Sequence, residues 1–350
     1  MRNRARTKSN NLNRSSKNKI LSLVLAFLVS FVTCLDISIA ESLTQKTIGI
    51  SQIVEHPALD SVRESMLAAL KAEGYEAGKN LKVIYDNAQG NIVTSTQIAN
   101  KLMSSKINLA VGISTPSAQT LFYEAKKHGS KIPIVFSAVS DPKAAGLESC
   151  NDFPITGVTD TAHLEGLLEL IKSLMPQLKT LGLMYNAAET NSVSTIGRLK
   201  ILLKKNDIRF VEVTVNKTQD VADATKSLIG KVDALYFPQD NTLVSAIQTI
   251  VNIASQSSPT LPIILPIFTS DPLLVQSGVL AAVGYDYQDI GRETGIIVAK
   301  ILKGENPKNM PTHNPSTLKA FINSSLAKRL GLAIPSKLAF SEIQVTKDRP

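Results

Sequence analysis

Cysteine is nearly absent: the 350 residues hold only Cys34 and Cys150, beside four histidines and no tryptophan. Two thiols allow one disulfide at most, and a chain of this length can bury enough core to stand without any. His56, His128, His163 and His313 are scattered with no ligand-spaced pair, which excludes the usual His/Cys metal cluster. Cys150 reads as a reactive thiol or, in its more frequent role, as a small loop or core hydrophobe. The missing tryptophan argues neither way. Also lacking are a Gly-x-Gly-x-x-Gly turn, a phosphate loop ending in Gly-Lys-Ser/Thr, a Gly-x-Ser-x-Gly elbow, and a histidine placed as base for a nominated serine. Hydride transfer, nucleotide hydrolysis and serine-type acyl transfer thus lose their signatures, and no cofactor is called for.

The net charge of +9 is unevenly spread. Met1 to Ala40 carries seven basic residues against Asp36, so that stretch alone accounts for +6 and the rest for +3. With so little charge left, nucleic acid is not an expected partner. An apolar run from Ile20 to Leu35 follows the basic start, and Ser38-Ile39-Ala40 puts small residues where a signal peptidase reads, so residues 1–40 are expected to be a secretory signal peptide. The competing reading, a membrane anchor, needs roughly 20 apolar residues, and this run is shorter. A second alternative makes Cys34 a lipid-bearing residue, although Thr33 before it is bulkier than the residues such sites favour. Either export reading places the protein in the periplasm or another extracytoplasmic space.

From Lys46 onward, short β-branched runs alternate with helical stretches of period 3.6, the pattern of a parallel sheet with crossover helices. The first series comprises strands at Thr47–Ser51, Leu81–Tyr85, Leu109–Ile113 and Ile134–Ser137, with helices Ala58–Glu73, Val93–Ser105 and Pro116–Lys127 between them. A second series begins after Thr156–Thr159, with strands at Leu181–Tyr185, Arg209–Val213, Ala234–Phe237 and Ile263–Leu265. Its helices are Leu164–Met175, Val193–Lys205, Asp220–Ile229 and Thr242–Ser255. A late strand Gly278–Asp286, a helix Gln288–Leu302 and a strand Leu318–Ile322 follow. One sheet of that many strands is improbable, since twisted open sheets rarely exceed about ten. The expected fold class is α/β, in two Rossmann-like lobes with parallel sheets.

In such folds ligands sit outside the carboxyl ends of the strands. After the third strand come Ser114, Thr115, Pro116 and Ser117, where Thr115 reads as a helix cap and the hydroxyls together as a seat for a carboxylate or phosphate. Ser137, Val139 and Asp141 follow the fourth strand. In the second series, Asn186 and Asn191 follow one strand, Asp240 and Asn241 another, and Asp286 the late strand. Asp240 is either the cap of its helix or, like Asp286, the partner of an ammonium group. His56 either caps the helix after it or lines the mouth of a cleft. First-series loops suit a carboxylate and second-series loops an amine, so the ligand expected is a zwitterion.

Several ordered motifs carry a family likeness. Ile48 to Asp60, Asn87-Ala88-Gln89-Gly90, Ser114 to Gln119, Ser140-Asp141-Pro142 with Ala145-Gly146-Leu147, Gly157-Val158-Thr159-Asp160, Pro238 to Thr242 and the tail Ile322 to Pro335 resemble the periplasmic substrate-binding proteins of ABC transporters, in the tryptophan/tyrosine-type group. The resemblance spans nearly all of the chain after the signal. It implies a type I periplasmic-binding-protein fold with three hinge crossings, near Gly157, Tyr285 and Lys319. Residues 46–157 with 286–318 would form the first lobe, and 158–285 with 319–350 the second. It also implies a small-molecule ligand, an amino acid, delivered to the permease and ATPase subunits of an ABC transporter. Two departures stand near the expected cleft. Residues 186–192 lack the proline common in relatives, and Ser270-Asp271-Pro272 replaces an expected Glu-containing helix start. The rival readings are a receptor's sensory domain and, with Asp141 and Asp240 as paired carboxylates, a hydrolase. A DNA-binding repressor on these lobes would need a helix-turn-helix where the signal stands.

Overall fold

A computed structural model describes residues 45–147, 153–255, 264–338 and 343–346. The expected signal segment with Cys34, and Cys150, lie outside the described residues. No helix among the described residues is long and apolar enough to cross a membrane.

The first lobe is built on a five-stranded parallel sheet. Its strands are β1 (Lys46–Gln52), β2 (Leu81–Asn87), β3 (Leu109–Ile113), β4 (Ile134–Val139) and β5 (Ile155–Thr159), in the order β2-β1-β3-β4-β5. β3 and β4 are buried along their whole length, as strands covered on both faces must be. Helices α1 (Pro57–Ala72), α2 (Ile92–Met103) and α3 (Thr115–Lys127) supply the crossovers. In α1, Leu59, Val62, Met66 and Leu70 recur at helical spacing and are all buried.

The second lobe continues through α4 (Leu164–Leu174), β6 (Thr180–Asn186), α5 (Thr190–Lys205), β7 (Arg209–Val215), α6 (Val221–Leu228) and β8 (Ala234–Phe237). Then come α7 (Asn241–Ser245), α8 (Ile247–Ala254), β9 (Ile267–Thr269) and β10 (Ala281–Tyr285). After β10 the long helix α9 (Tyr287–Leu302) packs on α1 of the first lobe, and the chain ends with β11 (Leu318–Asn323), α10 (Ser324–Arg329) and β12 (Ile343–Thr346). The seven strands lie in the order β12-β11-β10-β9-β8-β6-β7, parallel except for the β10–β11 pair. Successive residues of β8 alternate between two cores: Ala234 and Tyr236 face one, Leu235 and Phe237 the other.

Three features depart from the pattern read in the sequence. The segment around Gly157 is itself a strand, β5: a Cβ at Gly157 would stand 2.1 Å from the Phe136 carbonyl oxygen, so only glycine lets β5 lie this close to β4. The strand expected at Ile263–Leu265 forms at Ile267–Thr269, beyond Pro266, whose carbonyl accepts from Leu235 N. The helix expected over Thr242–Ser255 breaks at Ala246 (φ −107°, ψ 16°), where Ser245 Oγ turns back to the Asn241 carbonyl.

The chain leaves the first sheet after Thr159, enters α9 from β10 at Asp286, and returns from His313 to β11. His313 is still tied to the first sheet, donating N–H to Gly157 O and accepting from Thr159 N. α9 approaches α1 through Gly291 and Gly295, where added Cβ atoms would stand 2.3 Å from Val62 O and 2.6 Å from Met66 O.

Candidate functional site

The carboxyl ends of both sheets meet at one cavity. On the first-lobe side, β3 is followed by Ser114, which is turned to φ 75°, a left-handed conformation costly for any residue with a Cβ. That turn takes Ser114 Oγ away from the N-terminus of α3, which no side chain caps, and aims it across to Asn241 Oδ1 of the second lobe at 3.1 Å. Ala138, at the end of β4, is also left-handed at φ 53°. Strain of this kind gathers where backbone must be presented to something. α3 therefore offers its first amides and its dipole unclaimed by its own cap.

His56, between β1 and α1, is buried against the same cavity. Burial pushes its imidazole down to about 4, outweighing the charge of Asp60 and a hydrogen bond to Asn241, so the ring is neutral at pH 7. Its Nδ1 has no hydrogen-bond partner.

On the second-lobe side two carboxylates hold the loop geometry. Glu189 accepts from Asn241 N (3.0 Å), Asn241 Nδ2 (2.6 Å), Thr242 N (3.0 Å) and Thr242 Oγ1 (2.9 Å), and so ties the start of α7 to that of α5. Asp240 accepts from Asn186 N (2.7 Å), Ser192 Oγ (2.7 Å) and Leu243 N (2.9 Å). Its carboxyl is raised, by burial first and then by the charge of Glu189. Asn191 donates from Nδ2 to Gln239 O at 2.8 Å, while its own Oδ1 is buried without a partner.

Asp160, Asp271 and Tyr287 complete the lining. Asp160 Oδ1 accepts from Ser140 Oγ at 2.8 Å, its Oδ2 from Tyr287 OH at 3.4 Å, and its backbone oxygen from Gln239 Nε2 at 2.9 Å. Asp271 accepts from Leu273 N at 3.0 Å. Burial pushes Asp160 up to about 6, and burial reinforced by the Asp160 charge pushes Asp271 up to about 7. Leu59, Val244 and the Tyr287 ring form the apolar part of the wall, and no lysine or arginine lines the cavity among the described residues. The cavity volume is about 10 Å³, room for about one water.

Of the residues picked out in the sequence, His56, Ser114, Asn191, Asp240 and Asn241 come together here. The others do not line the cavity. Thr115 and Ser117 are buried in the first turn of α3 beside it, Ser117 Oγ without a partner. Ser137 Oγ pairs with Thr294 Oγ1 at 2.6 Å inside the first-lobe core, and Val139 is a core residue. Asn186 is spent on Thr242 and Ala188. Asp141 caps Ala144 N and accepts from Ser194 Oγ, so it does not join Asp240 as a pair of catalytic carboxylates. Asp286 is partly exposed, caps Gln288 N at 2.9 Å and stands 3.4 Å from Lys319 Nζ. Asp160, Asp271 and Gln239 were not among the candidate ligand residues, although Asp160 and Asp271 each follow a strand; Tyr287, which its place near a loop start marks as a candidate for an aromatic wall, does line the cavity.

A two-lobed α/β frame with a cavity between the carboxyl ends of its sheets is the architecture of solute-binding proteins, and residues 47–346 match the family described as ABC transporter substrate binding protein. The chain belongs to that family, with the periplasmic-binding-protein type I fold. It is 36% identical over 310 residues to a tyrosine-binding protein of Clostridioides difficile, covering 88% of this chain and 86% of that one. A structure from Streptococcus pneumonia, an ABC domain in complex with L-Trp, is 32% identical, covers 86% of this chain and 100% of its own, and superposes with a TM-score of 0.78. The ligand-free, open structure of a Clostridium difficile substrate-binding protein with adhesive properties is 36% identical and covers 87% of this chain and 100% of its own, yet superposes at only 0.63.

Proposed function

We propose that this chain is the extracytoplasmic binding component of an ABC transporter, taking a tyrosine- or tryptophan-type amino acid as its zwitterion between the lobes and handing it to a membrane permease served by ATPase subunits. The observation that carries the reading is the polarity of the cavity. One lobe brings an uncapped helix N-terminus and hydroxyls, which suit a carboxylate. The other brings buried carboxyl groups and an unpartnered amide oxygen, which suit an ammonium. Leu59, Val244 and Tyr287 supply the apolar contact for a side chain. The named relatives support the choice of an aromatic amino acid. A ligand of that size enters only if the lobes part and close again, by rigid-body rotation at the three passages between them.

Calorimetric titration of the purified chain against the twenty amino acids tests the reading. Tyrosine or tryptophan is expected to bind with micromolar affinity, about −8 kcal/mol. Absence of heat with every amino acid overturns it.

A further inference from the structure

We propose that Asp160 and Asp271, with the amide oxygen of Asn191, form the seat for the ligand's α-ammonium group, and that Asp240, the acid more obvious in the sequence, only positions the loops around it. The inference rests on the reading of the cavity as an amino-acid site and assigns the residues that discriminate there.

Asp240 gives its carboxylate to three donors of its own lobe, at 2.7, 2.7 and 2.9 Å. Asp271 accepts one bond from its own loop, and Asp160 accepts one short and one long bond, from Ser140 and Tyr287. Two acids held this far from water, close enough for one to raise the other, lack the positive partner that buried carboxylates need. The independent sign of a ligand is Asn191. This side chain is 3% exposed, lines the cavity, and has its Oδ1 without a partner. Gln239 Oε1 and His56 Nδ1 line the same space and lack partners too, the latter on a neutral ring. The atoms left over are therefore mostly acceptors, and an ammonium brings three donors.

The charged and titratable groups around the two acids are few. Tyr287 at the start of α9 and Tyr285 at the end of β10 feel the Asp160 charge. Asp240 and Glu189 from the second lobe and His56 from the first complete the set. None of these is a cation at pH 7. A ligand without the amino group leaves the acids to be neutralised by protons, so its binding must take up protons and weaken as pH rises.

The test compares tyrosine with des-amino-tyrosine on the intact chain at pH 5.5 and pH 8, with tryptophan and its des-amino analogue as a second pair. Loss of the amino group should cost about 100-fold or more in affinity at pH 8, and the gap should narrow by at least about tenfold at pH 5.5. Asp271→Asn and Asp160→Asn should weaken tyrosine binding at pH 8 while strengthening des-amino-tyrosine binding, a gain that misfolding cannot imitate. Asp286→Asn, outside the cavity, should change neither. A pH-independent gap in the wild-type chain, or the same inversion arising from Asp240→Asn in place of the other two, overturns the assignment while the amino-acid reading stands. Failure of the wild-type chain to bind either amino acid removes both.

Discussion

Asp141 of the first lobe accepts a 2.5 Å hydrogen bond from Ser194 Oγ of the second, tying one lobe to the other. Gln119 Nε2 and Thr190 Oγ1, 3.5 Å apart, and the Ser114–Asn241 bond are the companion contacts across the cleft. Such bonds form on closure and break on opening, so they bias the lobe equilibrium rather than the ligand's own contacts. Ser194→Ala and Asp141→Asn are each expected to weaken amino-acid binding by about 3- to 10-fold, the worth of one hydrogen bond. The double variant should be no weaker than either single one, because both remove the same bond. Additive losses in calorimetry would show that the two residues act separately.

The pH dependence of stability has a definite sign. Asp160 and Asp271 are raised above their ordinary value of 3.8, to about 6 and about 7, so the folded chain holds protons that the unfolded chain has released. Their contribution is complete below pH 4 and is lost as pH rises through 6 to 7. His56 works oppositely: lowered from 6.5 to about 4, it costs stability only as pH falls below 6.5. Above pH 6.5 only buried acids act, and Asp240, raised to about 8 by burial and then by the Glu189 charge, adds to the same downward slope. Without added amino acid, the melting temperature should fall by about 1 to 3 °C between pH 6.5 and 8.5, and Asp271→Asn should flatten that slope in a thermal scan. A melting temperature that climbs over this interval would contradict the burial of both acids.

Gly291 sets two effects against each other. Alanine is the better helix former by up to about 1 kcal/mol, but its Cβ would stand 2.3 Å from Val62 O and 2.9 Å from Ser65 Cβ, forcing α9 off α1. Overpacking of this kind costs about 1 to 3 kcal/mol. Gly291→Ala is therefore expected to lower the stability measured by urea unfolding, whereas a gain would mean that propensity outweighs the close approach.

How far the site could be read from the sequence depended on where its strands were placed. The rule that ligands gather at strand ends led to Ser114, Asn191 and Asp240, because β3, β6 and β8 are runs of β-branched and apolar residues ending at obvious turns. The same rule missed Asp160, since Ile155–Thr159 is short and looked like a boundary; that it is a strand depends on Phe136 lying against Gly157, a long-range contact with no local signature. It missed Asp271 because β9 forms four residues later than expected, placing Ser270 and Asp271 at its end. Asp286 and Tyr287 stand side by side near a loop start, and the local pattern does not say which of them turns inward. The turn into α9 makes Asp286 the cap and sends Tyr287 inward, a choice settled by packing.

The pairing of α1 with α9 also governs the order in which this molecule can be assembled. α1 is complete at Ala72, but its partner begins at Tyr287, roughly 200 residues later. At about 5 to 20 residues per second, a growing chain carries Val62 and Met66 uncovered for about 10 to 40 s. The second lobe waits as well, for β11 comes later still. The first lobe can close once α9 is made, the second only after β11, and the cavity takes shape only as the last part of the chain is made.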